Sequence, residues 1–105
     1  MPYKNKEDLY KSQQKIRDRN HNNLWEYLSD KCCTDCNLKD PRVLEFDHLP
    51  QYEKKFEIAK AISGSTRSWV LILSEINKCE IVCSNCHKIR TMERGNFKRY
   101  KSFIK

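Results

Sequence analysis

Apolar residues recur along the first third of the chain at steps that suit a helix. Leu9, Ile16, Leu24 and Leu28 follow one another at seven, eight and four residues, which predicts one amphipathic helix from about Lys6 to Ser29. Trp25 flanks the stripe. Lys11, Lys15, Arg17 and Arg19 fall elsewhere, on a face that could touch phosphates but reads chiefly as solvated. The period then changes. After the Asp40-Pro41 turn, Val43 to His48 alternates, with Leu44, Phe46 and His48 on one face and Val43, Glu45 and Asp47 on the other. Pro50 stops this strand. Tyr52 to Ile62 reads as a loop leading into a short helix with Phe56, Ala59 and Ile62 as its apolar side, closed by Gly64. Ser65 to Ser68 offers N-caps for a helix over Trp69 to Asn77. Cys79 to Cys83 is a second short strand, and Ser84 caps a last helix from about Asn85 to Glu93 that Gly95 ends. The fold class is therefore α+β: a long N-terminal helix over 1–31, a core over 32–95 and a tail over 96–105.

Six cysteines change this picture. Cys33-Thr-Asp-Cys36 and Cys83-Ser-Asn-Cys86 are two C-x-x-C pairs, and four thiolates make a closed tetrahedral zinc site. Redox or free buried thiols are the alternative. Zinc suits a chain of 105 residues, because small domains often need a staple. The expected setting is reducing: the N-terminus has no apolar signal segment, and the longest apolar run, Trp69 to Leu73, is too short to span a bilayer. A soluble, cytoplasmic protein without a membrane partner is the expectation. Cys32 competes with Cys33, and the tighter spacing favours Cys33. Cys79 is left over as a buried thiol.

Charge is uneven. The net charge is +7, and residues 88–105 hold seven basic side chains against one acidic. Phe97, Tyr100 and Phe103 are interleaved with them. Lys88, Arg90, Arg94, Lys98 and Arg99 are candidate contacts to a nucleic-acid backbone. A merely solvated terminus explains the same composition equally well.

The remaining question is why an apolar strand ends in Asp47-His48. Phosphodiester hydrolysis needs a base and a divalent cation. An imidazole titrates near neutrality, and a carboxylate suits Mg²⁺. Neighbouring residues on a strand diverge, so one can hold metal while the other faces water. His87 follows the last zinc thiolate directly, so a zinc-fixed helix start could aim it at the same place. His87 is also a candidate zinc ligand, and a lone Asp-His pair is weak evidence. His21 has no evident partner and reads as surface.

In combination these features resemble the HNH endonucleases, the ββα-metal (His-Me finger) nucleases, in a zinc-stapled variant. The likeness runs from about Cys33 to Thr91 and is dense in CCTDCNLKDPRVLEFDHLP and EINKCEIVCSNCHKIRT. It implies two antiparallel strands and a helix gripping one ion in the DNA minor groove. It further implies His48 as general base, and Asp47 and His87 as ligands of a catalytic Mg²⁺ or Mn²⁺. Cys33, Cys36, Cys83 and Cys86 would be the ligands of a structural zinc. Products would carry 5′-phosphate and 3′-hydroxyl ends. The pattern departs at its middle Asn, whose usual position is here Lys78. Asn77, one residue early, either takes over the bracing of the loop after His48 or leaves that brace absent.

The expected function is DNA cleavage with weak sequence preference, by a monomer or weak homodimer. A bacterial or phage-infected cell is the expected setting, by analogy with compact nucleases of phages and mobile elements. The rival is a non-catalytic zinc module that binds DNA, alone or in a larger machine. An interaction protein whose knuckles only scaffold a surface is a third class.

Overall fold

The computed structural model describes residues 6–95. The expected tail contacts Lys98 and Arg99, with Phe97, Tyr100 and Phe103, lie outside the described residues. Among those described, four helices and a two-stranded antiparallel sheet make a small α+β fold. The order is α1 (Lys6–Leu28), a 3-10 turn at Pro41–Val43, β1 (Leu44–His48), α2 (Ile58–Gly64), α3 (Trp69–Ile76), β2 (Cys79–Cys83) and α4 (Ser84–Gly95). No helix among them is long and apolar enough to cross a membrane.

Local chemistry explains most boundaries. The Asp40 carboxylate accepts from the Arg42 backbone N–H at 3.1 Å, which caps the 3-10 turn. The turn takes up Val43, so β1 starts one residue later than the alternation suggests. The Ser68 hydroxyl accepts from the Leu71 N–H at 3.3 Å and starts α3. The strands pair with Leu44 opposite Cys83, Phe46 opposite Ile81 and His48 opposite Cys79.

The core has two adjoining clusters. One gathers Leu28, Cys33, Leu44, Val82 and Cys83; the other gathers Ile58, Ala61, Ile62, Ile72 and Ile76. Leu24, Tyr27 and Phe46 pack against both, so the C-terminal half of α1 joins them. Tyr27 lies edge-on to Trp69, with ring centroids 6.5 Å apart, and tilted over Phe46 at 6.3 Å.

Two expectations about packing, on α1 and α2, are corrected. The apolar stripe of α1 is covered only toward its C-terminus: Leu9 is exposed, and Tyr27 rather than Trp25 is the inward aromatic. Asn20 is buried, and its Nδ2 donates to the Arg67 carbonyl at 2.9 Å, tying α1 to the loop between α2 and α3. In α2 the inward positions are Ile58, Ala61 and Ile62, while Ala59 is exposed. The helix starts only at Ile58, so its i, i+3, i+4 face is set from there.

Ile72, fully buried in the second cluster, reports on this packing. Ile72→Ala should cost about 2–5 kcal/mol in urea denaturation. A loss under half a kilocalorie would mean that the cluster does not hold α3.

Candidate functional site

Two tight backbone turns bring four sulfurs together. In the first, Cys33 N–H donates to the Leu38 carbonyl and Asn37 N–H to the Cys33 carbonyl, both at 2.9 Å. Asn37 takes φ 66°, the left-handed conformation that Asn tolerates better than most residues. In the second, the Cys86 N–H lies 3.4 Å from the Cys83 sulfur at the start of α4. The Sγ atoms of Cys33, Cys36, Cys83 and Cys86 all lie within 4.8 Å of one another. Cys36 and Cys83 are 3.7 Å apart. A tetrahedron with Zn–S bonds of about 2.3 Å has edges of about 3.8 Å, so the cluster is compatible with a structural zinc. Cys33, not Cys32, belongs to it.

The acidities point the same way. Burial pushes the Cys33 thiol up, but backbone N–H groups and its neighbours outweigh that and bring it to about 6. Cys86 is pushed well above the ordinary thiol value, first by the Cys83 sulfur and then by burial. Four adjacent sulfurs cannot all carry negative charge without a cation among them. Cys79 stands apart; burial and the carboxylates of Glu75 and Asp47 raise it to about 11, the behaviour of an inert thiol.

The strand tip carries two charged clusters, because alternation sends Asp47 and His48 to opposite faces of β1. On the Asp47 face, His87 turns to the strand rather than adding to the sulfur group. Its Nδ1 is 2.7 Å from Glu45 Oε1, and its Nε2 is 3.6 Å from Asp47 Oδ1. The Ser84 hydroxyl donates to Glu45 Oε2 at 2.8 Å. Asp47 is only 3% exposed. Its Oδ1 accepts from Arg94 Nη1 at 2.7 Å, and its Oδ2 from Arg90 Nη1 at 2.7 Å and Arg94 Nη2 at 2.8 Å. Arg90 also forks onto Asp35, at 2.6 and 2.7 Å, and reaches Glu80 at 2.9 Å. Burial would raise the Asp47 carboxyl, but Arg94 and Arg90 outweigh it and hold it below the ordinary range. Arg90 and Arg94, expected on phosphates, are thus paired with carboxylates. A charge in a sequence reads the same whether solvated or paired. Lys88 is exposed.

The 3.6 Å between His87 Nε2 and Asp47 Oδ1 falls between the separations of adjacent and opposite ligands, about 3.0 and 4.2 Å, in an octahedron with bonds of about 2.1 Å, so Mg²⁺ would require the two side chains to shift. The two arginines compete for the same carboxylate oxygens.

On the other face, His48 Nε2 is 2.9 Å from Glu75 Oε2. Glu75, on α3, is 1% exposed. Its Oε2 also accepts from the Lys55 N–H at 3.1 Å, and its Oε1 from Lys78 Nζ at 2.9 Å. Burial raises the Glu75 carboxyl, but Lys78, the Lys55 N–H and His48 together hold it below its ordinary value. Lys78 Nζ also donates to the Glu53 carbonyl at 2.9 Å, and its own carbonyl accepts from the Leu49 N–H at 3.0 Å. Lys78 and Glu75 therefore brace the loop after His48. Asn77 is exposed and caps α3 through its backbone. His48, His87 and Glu45 line one pocket of about 300 Å³, whose floor includes Leu28, Leu44 and Ile62. Sequence reasoning missed Glu75. The one available signal was its place on the apolar helix α3, one turn before Lys78.

Metal content separates the two candidate first ligands. Cys33→Ser should lose zinc by elemental analysis and melt much of the core, since structural zinc contributes on the order of 10 kcal/mol. Cys32→Ser should keep both zinc and fold. The reverse result would refute the cluster. Glu75→Gln should cost about 1–3 kcal/mol at neutral pH. The folded-state pKa of Glu75 is depressed, so its stabilisation is present above the unfolded value of about 4.3 and is lost as pH falls through the folded one. The gap between wild type and variant in urea titrations should therefore narrow below about pH 4. A pH-independent gap would show that the charge of Glu75 is immaterial.

No family model, curated protein or solved structure matches the chain.

Proposed function

We propose that the protein is a metal-dependent endonuclease of the HNH type that hydrolyses phosphodiester bonds in DNA. One observation carries the reading. His48 and His87, from opposite ends of the core sequence, line one pocket, and Asp47 lies 3.6 Å from the His87 ring. In this reading β1, β2 and α4 form a ββα-metal finger whose strands are stapled by zinc at Cys33, Cys36, Cys83 and Cys86.

Asp47 and His87 would hold Mg²⁺ or Mn²⁺, which supplies charge stabilisation at the phosphate and the leaving oxygen. His48 accepts the proton of the attacking water. The water oxygen bonds to phosphorus as the bond from phosphorus to the 3′-oxygen breaks, and the leaving 3′-oxygen takes a proton from solvent water, which leaves a 5′-phosphate and a 3′-hydroxyl. Arg94 is the guanidinium that can exchange Asp47 for a DNA phosphate. It is 44% exposed and has Asp47 as its one carboxylate partner among the described residues, whereas Arg90 is tied to Asp35, Asp47 and Glu80. Lys88, one residue after His87, is exposed for a flanking phosphate. One site per chain makes nicking by a monomer or weak homodimer the default, in the cytoplasm of a bacterial or phage-infected cell.

A second reading has its own support. Both Asp47 oxygens are taken by guanidinium groups. That favours a zinc module that binds DNA without cutting it, as a free protein or a subunit of a larger machine.

Supercoiled plasmid distinguishes them. The wild type should nick it with Mg²⁺ or Mn²⁺, and should stop when EDTA removes the labile ion at a dose that leaves zinc in place. His48→Ala should lose roughly 10²-fold or more in rate while keeping its circular dichroism spectrum. Salt-dependent DNA binding with no cleavage under any ion would select the second reading.

A further inference from the structure

Resting on the nuclease reading, we propose that Glu75 is the positioning residue for His48: its carboxylate holds the ring by Nε2–H and leaves Nδ1 as the basic nitrogen. The argument is one of donors and acceptors. Glu75 Oε1 accepts from Lys78 Nζ, and Oε2 accepts from the Lys55 N–H. Both oxygens are thus committed as acceptors, as an ionised carboxylate requires. The remaining contact, 2.9 Å from Oε2 to His48 Nε2, then needs its proton on the imidazole nitrogen. A neutral imidazole protonated at Nε2 carries its lone pair on Nδ1.

The same carboxylate serves the step that follows. When Nδ1 takes the proton of the attacking water, both ring nitrogens are protonated and the ring is cationic. A buried anion 2.9 Å away offsets that charge without reorganising. The Lys55 N–H bond and the Lys78 contacts to Glu53 and Leu49 fix the segment following His48 to the same helix end. The bracing expected of Asn77 is carried by Glu75 and Lys78 instead. A purely structural Glu75, buried to satisfy Lys78, accounts for the ion pair and the Nε2–H contact but sets no requirement on the rate of proton transfer.

Two readouts on Glu75→Gln test this. The first is the long-range ¹H–¹⁵N spectrum of histidine-labelled protein above the imidazole titration range, with His48 assigned by its loss in His48→Ala. The wild type should show His48 protonated at Nε2 and bare at Nδ1, and Glu75→Gln should move it toward the other tautomer. The second is plasmid nicking at a temperature where the variant is folded. There kcat should fall about 10²-fold. KM should stay within about twofold, the pattern of an interaction used in the chemical step. A wild-type His48 protonated at Nδ1, or a Glu75→Gln protein with unchanged tautomer and kcat, would overturn the positioning role. A wild type that fails to nick with every ion tried would instead remove the nuclease reading, and the tautomer spectrum alone would then decide whether Glu75 orients His48.

Discussion

Everything near the strand tip depends on four cysteine sulfurs meeting in one place. Two of them come from a turn that follows α1, and two from the junction of β2 and α4. The long segment between them is thereby closed into a loop, and α2 and α3 fold inside it. Without the cluster, a five-residue pair of strands has little to hold it, since an isolated two-stranded ribbon is marginal in water. With it, the start of α4 is fixed against β1, and His87 follows from that. The N-terminal helix adds the other support: Leu24, Tyr27 and Leu28 cover the sheet and the helical insert together.

Around this frame the polar groups divide by strand face. One side gathers Glu45, Asp47, His87 and two arginines; the other gathers His48, Glu75 and Lys78. Each side contains a buried carboxylate, Asp47 held by two guanidinium groups and Glu75 by the Lys78 ammonium, the Lys55 N–H and the His48 ring. Such groups are costly to bury and weak evidence of stability alone, which makes their pairing here the informative fact. The two sides meet again at the pocket that His48 and His87 share. That convergence, rather than any single residue, is what a hydrolytic reading draws on.

Much of the architecture was legible because it is written in local periods. The 3.6-residue stripe of α1, the alternation of β1, the Ser68 cap and the C-x-x-C spacings each act over a few residues, and each placed its element within a residue or two. What stayed hidden depends on partners distant in sequence. Nothing local distinguishes the buried Asn20 from a solvated polar residue, and Glu75 is marked only by its place on the apolar helix α3, since the Arg67 carbonyl and the His48 ring that satisfy them come from other elements. Arg90 looked free for the same reason: its three carboxylates come from the knuckle, β1 and β2. On the α2 segment Phe56 and Ile62 pack inward as the period implies, and Ala59 does not, because the helix starts at Ile58 and turns Ala61 to the core instead.

The pairing of Leu44 with Cys83 has a consequence for how the chain tolerates length changes. Because it sits beside the sulfur cluster, it sets the phase of the whole ladder. An extra residue between Leu38 and Asp40 only enlarges a loop, leaving the Cys33–Leu38 turn and the ladder in step. The same addition inside Glu45–Asp47 would slip the downstream positions by one and turn each to the opposite side of the sheet. Asp47 would exchange surroundings with His48, and both charge clusters would break at once. Insertions and deletions should therefore be confined to the loops on either side of β1, Leu44–His48.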